Sequence, residues 1–290
     1  MPGITTMPEL PEVEYARRQL QRWLGGATIT SAVVHDARIL GRGAARGRSG
    51  TARTVERALV GRRILKVERR GKWLRMPMDE GIAFSHLGMT GKWTLAKDDT
   101  PLRFERLRID VDKGRMHHRV RYLDPRLFGI FTVCEKDLPV WDALGPDPLH
   151  DGIDVDRLVE KLCKKQLAIK PALLDQKLLA GVGNIQATEA LFLARIDPRR
   201  PSRSLSRIEL AAVARGIDES IRRTLEHESG PQITYVEERG ADNPFLVYGR
   251  DGEPCPRCKT KLVKVTQAGR TTVYCPHCQA GERRGSRSNR

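Results

Sequence analysis

Apolar positions along the chain fall into two rhythms. Val13, Ala16, Leu20 and Trp23/Leu24 recur at helical spacing and stop at Gly25-Gly26, which predicts an amphipathic helix over residues 11–24. From about residue 27 to 135 the apolar stretches are short and β-like: Ala27–Val34, Ile64–Met76, Gly81–Phe84, Leu107–Val111 and Arg119–Leu123. Strands without intervening helices predict an antiparallel sandwich or barrel. Residues 36–62, rich in Arg and Gly, read as an exposed loop followed by a polar connection.

Gly145-Pro146-Asp147-Pro148 ends this pattern, and helical spacing returns. Asp154 is placed as an N-cap before Val155, Leu158, Val159 and Leu162. Ser206 and Glu209 have capping-box spacing ahead of Leu210, Val213, Ile217, Ile221 and Leu225. A loop rich in turn formers follows Gly230 and runs to Asn243-Pro244. Lys261–Val265, Gly269 and Thr271–Tyr274 predict a hairpin with a basic tip, Arg270. Residues 281–290 read as a disordered basic tail, and no internal repeat is present. The expectation is an α+β multidomain chain: an N-terminal helix and antiparallel β-sandwich over 7–140, a helical domain over 141–244 and a small β-hairpin module over 245–280.

Charge narrows the partner. The 290 residues carry 52 Lys+Arg against 36 Asp+Glu, a formal +16, which favours a polyanion through release of condensed counterions. No apolar run is long enough to span a bilayer, and the first residues lack the apolar core of a signal peptide. The reading is a soluble, intracellular protein that binds nucleic acid and no membrane.

Four of the six cysteines form one pattern, Cys255-Pro-Arg-Cys258 and Cys275-Pro-His-Cys278 with sixteen residues between the pairs. Two CxxC knuckles at this separation match a tetrahedral four-cysteine zinc site. Four thiolates close the coordination sphere, so one structural Zn2+ per chain is expected, with no Lewis-acid role. Cys134 and Cys163 stand alone and are expected to be buried packing residues.

The most chemically suggestive segment is Met7-Pro8-Glu9-Leu10-Pro11-Glu12-Val13-Glu14. Removal of Met7 would expose a Pro8 secondary amine with a carboxylate, Glu9, directly beside it. A free α-amino group has a pKa of about 8 against about 10.4 for Lys, so a useful fraction is unprotonated near neutrality. Condensation of a secondary amine with a sugar carbon gives a charged iminium, the electron sink of Schiff-base chemistry. The bland reading is a proline-broken leader with Pro11 in the first turn of a helix.

Five segments together with the cysteine hairpin resemble formamidopyrimidine-DNA glycosylases. They are Pro8–Glu14, Arg70-Gly71-Lys72-Trp73-Leu74 with His86-Leu87-Gly88-Met89-Thr90-Gly91, Asp124-Pro125-Arg126-Leu127-Phe128-Gly129, Lys170–Lys177 running into Gly181-Val182-Gly183-Asn184-Ile185, and Val247-Tyr248-Gly249-Arg250 ahead of the cysteines. The resemblance spans Met7 to Cys278. It implies a β-sandwich and a helix–two-turn–helix domain with a zinc finger, and DNA held in the cleft between them. It further implies excision of oxidised purines from double-stranded DNA and cutting of the abasic strand by β,δ-elimination. A monomeric, bacterial, cytoplasmic and nucleoid-associated enzyme would follow.

Residue by residue, the resemblance makes Pro8 the nucleophile, Glu9 the proton shuttle and Lys72, on a predicted strand, a phosphate and sugar contact in the active site. Glu12 matches a supporting active-site carboxylate, while a first-turn acid favoured by the helix dipole is its other reading. His86 is expected on a phosphate. Met89, Arg126 and Phe128 match the trio that fills the hole left by an extruded base, and Leu127 between them is unassigned. Lys170, Asn184 and Arg270 are expected to clamp phosphates, with the zinc supporting Arg270.

Two features depart from the family pattern. Met1–Thr6 precede the motif, and translation from Met1 would leave Pro8 acylated; Met7 is therefore the expected start. The stretch Gly230–Pro244, with Ile233–Glu238, lacks the glycine-rich character of the loop that captures oxidised guanine. Two rivals share these motifs: an endonuclease VIII-like glycosylase for oxidised pyrimidines, and a non-catalytic zinc-finger DNA-binding homologue.

Overall fold

The computed structural model describes residues 8–41, 51–96, 98–227 and 243–280. The expected extension 1–6, Met7, residues 42–50 of the Arg/Gly-rich stretch, residues 228–242 and the basic tail 281–290 lie outside them. The chain divides into two compact units, which part between Leu144 and Gly145.

In the first unit, helix α1 (Leu10–Leu24) buries Val13, Ala16, Leu20 and Leu24, the expected stripe, and ends at Gly25 and Gly26. Two four-stranded antiparallel sheets follow. One has the order β1 (Thr28–Val34), β6 (Glu105–Lys113), β7 (Met116–Leu123), β5 (Lys92–Leu95). The other runs β2 (Glu68–Arg70), β3 (Trp73–Pro77), β4 (Ile82–His86), β8 (Ile130–Cys134). Ile29, Ile109, Val111 and Val120 of the first sheet share one apolar core with Leu74, Met76, Ala83 and Phe131 of the second, so the sheets form a sandwich. The connections from β4 to β5 and from β7 to β8 each cross between the sheets. Because β5 pairs with β7 and β4 with β8, these two crossovers lie side by side at one end of the sandwich.

Two local expectations change. Ile64–Met76 is not one strand: Gly71-Lys72 form a two-residue turn that folds it into the β2–β3 hairpin. Gly71 has φ 58°, which a glycine supplies without strain at the first central position of such a turn. Residues 52–59, read as polar connection, form helix α2 (Ala52–Leu59). Its apolar signal is only Val55 and Leu59, one turn apart and both buried, too little to reveal a helix. A short helix α3 (Pro139–Asp142) closes the unit.

The second unit begins with α4 (Val155–Leu162), whose Asp154 cap accepts the N–H groups of Asp156 and Arg157 at 2.9 and 3.2 Å. Next are α5 (Ile169–Leu173), α6 (Asn184–Leu193) and α7 (Arg207–His227). Ser206 and Glu209 form the expected capping box at the start of α7: Ser206 N–H donates to Glu209 Oε2 at 2.8 Å and Glu209 N–H to Ser206 Oγ at 3.3 Å. Gly216 of α7 lies against the Ala190 carbonyl of α6, where a Cβ would overlap it. Strands β9 (Val263–Gln267) and β10 (Arg270–Tyr274) form the cysteine hairpin, joined by Ala268-Gly269 with φ 47° and 72°. Cys134 is buried as expected, but Cys163 is exposed just beyond the last turn of α4.

Candidate active site and nucleic-acid interface

The N-terminal motif opens α1 and is buried there. Glu9 is the N-cap and Glu12 the third helical residue, and each carboxylate accepts the other's backbone N–H; Glu9 N–H reaches Glu12 Oε2 at 2.8 Å. Glu12 thus has a definite structural part, which fixes how the chain enters the helix with Pro8 just outside it. Pro8 and Glu9 are both buried, so a nitrogen at position 8 sits beside a carboxylate already held in place.

One turn further on, the buried Glu14 joins the helix to the β2–β3 hairpin. Arg69 Nε donates to Glu14 Oε2 at 3.1 Å, and Arg69 Nη1 to the Gly71 carbonyl at 3.0 Å. Burial alone would push the Glu14 carboxyl up, but hydrogen bonds and charge from Arg17 and Arg69 prevail and bring it down to about 2. The chain Glu14–Arg69–Gly71 holds the Gly71-Lys72 turn against the helix that begins at Glu9. Lys72 is therefore at a turn tip and not within a strand, as the sequence suggested.

His86 ends β4 opposite Trp73, with ring centroids 4.9 Å apart. Burial, reinforced by the Lys72 charge, lowers its pKa to about 4. Gly88 N–H donates to His86 Nδ1 at 3.0 Å, so the neutral ring carries its proton on Nε2. His86 is thus a neutral N–H donor at physiological pH.

The two crossovers carry the trio. Met89 lies on the β4–β5 crossover, half-buried, while Arg126 and Phe128 lie on the β7–β8 crossover, both exposed. The Arg126 guanidinium sits 5.0 Å from the Phe128 ring centroid. Leu127 between them has φ 57° and packs on the sandwich core. That inward anchor explains why its two neighbours project outward, and it gives the unassigned residue a part.

In the second unit Lys170 differs from expectation. It is 1% exposed, and its ammonium donates to Asn184 Oδ1 (2.6 Å), the Thr271 carbonyl (3.1 Å) and Thr272 Oγ1 (2.6 Å). A side chain so enclosed is a clasp between α5, α6 and β10 and does not reach a phosphate itself. Asn184 is the first residue of α6; its Nδ2 donates to the Thr271 carbonyl at 3.1 Å, which fixes the amide's orientation. Arg270 stands exposed at the start of β10.

The four thiol groups fit a zinc ion. Cys255, Cys258, Cys275 and Cys278 have Sγ atoms within 4.8 Å of one another, including 3.9 Å for Cys255–Cys278 and 3.5 Å for Cys258–Cys275. Tetrahedral Zn–S bonds of about 2.3 Å require S···S separations of about 3.8 Å. One structural zinc sits here and holds the hairpin that presents Arg270 and offers Thr271 and Thr272 to Lys170. No other group of metal-ligating side chains occurs among the described residues.

Sequence reasoning missed Glu14, Arg69, Thr272 and Glu189. Glu189 of α6 is buried and accepts the N–H groups of Leu246, Val247 and Tyr248 at 2.7, 3.0 and 2.9 Å, fixing the approach to the zinc module. A charged residue within an apolar helical run was the available signal.

No described helix is long and apolar enough to cross a membrane. Residues 7–131 match the family model of the formamidopyrimidine-DNA glycosylase N-terminal domain, 144–235 that of its H2TH domain, and 252–281 a zinc finger found in FPG and IleRS. Formamidopyrimidine-DNA glycosylases of Escherichia coli and Pseudomonas savastanoi are 38% and 36% identical, each covering 94% of this chain and 100% of the relative. The Lactococcus lactis Fpg in complex with abasic-site DNA superposes with TM-score 0.81 at 33% identity, over 94% of this chain and 100% of that one. Its complex with Fapy-dG DNA gives the same TM-score at 32% identity and the same coverage.

Proposed function

This chain belongs to the formamidopyrimidine-DNA glycosylase family and is a DNA glycosylase of base-excision repair; from that premise we propose that it excises oxidised purines through a Schiff base on Pro8 and then cuts the abasic strand. The observation that carries the proposal is the buried Pro8-Glu9 pair at the cap of α1, within a chain that matches the family from residue 7. The amine exists only once Pro8 is the first residue, so absence of residues 1–7 from the working enzyme is part of the proposal.

The steps follow from this chain's groups. The Pro8 nitrogen attacks C1′ of the extruded nucleotide, and the C1′–N bond breaks with its electron pair leaving on the base, which takes up a proton. Glu9 donates a proton to O4′ as the sugar ring opens, leaving an iminium between Pro8 and C1′. The iminium acidifies C2′–H; its removal expels the 3′ phosphate, a second elimination expels the 5′ phosphate, and water then frees Pro8. Lys72 and the neutral His86 Nε2–H hold the phosphate and sugar of that nucleotide. Met89, Arg126 and Phe128 fill the vacated stack. Asn184 and Arg270 hold flanking phosphates, with Lys170 and zinc keeping them in place. A monomer suffices for this; the bacterial relatives support a cytoplasmic setting, and DNA binding would place the enzyme at the nucleoid.

The test is a strand-cleavage assay on duplexes containing 8-oxoguanine, a formamidopyrimidine or an oxidised pyrimidine. The proposal expects efficient cutting at the purine lesions, with phosphate on both sides of a one-nucleotide gap. Cutting at the pyrimidine lesion alone would contradict the substrate assignment, and a single elimination product would contradict the second step.

A further inference from the structure

We propose that the hydrogen bond from Thr90 to Asp124 is the joint that sets the void-filling trio, making Thr90 and Asp124 positioning residues for base extrusion. The inference rests on the reading of Met89, Arg126 and Phe128 as the groups that occupy the vacated stack.

A trio drawn from two loops works only if the loops keep their relative position. The two crossovers are neighbours through the sheets, but their tips lie beyond the last ladder pairs and need another tie. Asp124 supplies it. It is 0% exposed; its Oδ1 accepts Thr90 Oγ1–H at 2.8 Å from the Met89 crossover and Arg126 N–H at 3.2 Å from its own. Its Oδ2 accepts Gly129 N–H at 2.8 Å, on the far side of Phe128. One carboxylate therefore touches the residue after Met89 and both ends of the Arg126–Phe128 tip.

The packing leaves little freedom around this joint. Gly88 has φ 65° and lies against the Phe128–Gly129 backbone, where any Cβ would overlap. Gly91 and Gly129 both abut the buried Tyr122 hydroxyl, and a Cβ on either would collide with it. Leu127 pins the middle of the second loop to the core. Phe128 is 51% exposed, so among the described residues its loop and Arg126 are what orient it before DNA arrives. Extrusion costs a few kcal/mol, and a wedge that must first be ordered repays less of it.

The test uses the full chain and a duplex in which 2-aminopurine stands beside a tetrahydrofuran abasic analogue. Insertion of the trio unstacks the probe and brightens it, without any chemical step. Thr90→Val keeps the side chain's shape and removes the donor; Thr90→Ser restores the donor and serves as the rescue. The expected result is an insertion equilibrium about tenfold weaker in Thr90→Val, recovered in Thr90→Ser, with the salt dependence of binding unchanged because no phosphate contact is lost. Asp124→Asn should shift it in the same direction. Wild-type brightening in Thr90→Val, alongside its loss in Phe128→Ala, would overturn the joint and leave the trio intact. Absence of brightening in the wild type, on a duplex it binds, would overturn the trio and the joint together.

Discussion

Each unit buries a cation directly behind a segment proposed to meet DNA, Arg69 in one and Lys170 in the other, and the two are held in opposite ways. In the sandwich, Arg69 is paired with a carboxylate, Glu14, and grips the turn that carries Lys72 through the Gly71 carbonyl. In the second unit, the Lys170 ammonium is held by three neutral oxygens, two of them on the zinc hairpin. The first arrangement is an ion pair whose strength is local to one unit's core. The second depends on a strand whose shape is set by metal. The sandwich site is therefore built to survive loss of its neighbour's metal, while the Asn184–Arg270 region is not.

Zinc removal should break the comparison most severely. Structural zinc in small modules carries about 10–16 kcal/mol of apparent binding energy, so chelation should unfold β9–β10 and release Lys170 and Arg270. Hydrogen exchange should show lost protection in β9 and β10 with β6 and β7 unchanged; equal loss in both units would contradict the separation. Arg69→Met comes next. Glu14 keeps Arg17 and Arg18 but loses its one fully buried partner and the tie to Gly71, which should cost about 3 kcal/mol, the low end for a broken buried pair, read as a lower unfolding midpoint in denaturant.

Lys170→Met should cost less, about 1.5–3 kcal/mol, because the oxygens it leaves behind are neutral. Its larger effect should fall on DNA affinity, through a loosened Asn184. A stability loss as large as that of Arg69→Met would remove the distinction between the two clasps. Near neutral pH, titration in the sandwich unit should have smaller effects still, because Glu14 and His86 titrate at lower pH. Glu14 has a folded pKa of about 2 against 4.5, so its contribution is full above pH 4.5 and is lost as pH falls through 2. His86, at about 4 against 6.5, favours folding fully above pH 6.5, and that contribution is lost as pH falls towards 4. Proton NMR of the His86 ring should give a midpoint near 4; one near 6.5 would contradict the burial beside Lys72.

Most of the fold was legible because its signals are local. The stripe of α1, the caps at Asp154 and Ser206, and the CxxC pairs each act within a few residues, and each appears as expected. What escaped depends on distant partners. Lys170 reads as a free charge until residues 101 and 102 positions away close around it. Lys72 reads as a strand residue until Gly71 is seen to turn the chain. Leu127 has no readable part until the core beneath it exists. The family motif named the residues of the proposed site; it did not distinguish exposed ones, such as Arg126, from enclosed ones, such as Lys170.

The proposed chemistry begins with a covalent bond from the Pro8 nitrogen to DNA. Borohydride trapping on a duplex containing 8-oxoguanine, comparing chains started at Met1 and at Met7 and mapping the crosslinked peptide, tests it most directly. A crosslink at Pro8 is expected in the chain started at Met7, and none in a chain that retains Met1–Met7. A crosslink mapped to a lysine, or trapping of equal yield while residues 1–7 remain attached, would contradict it.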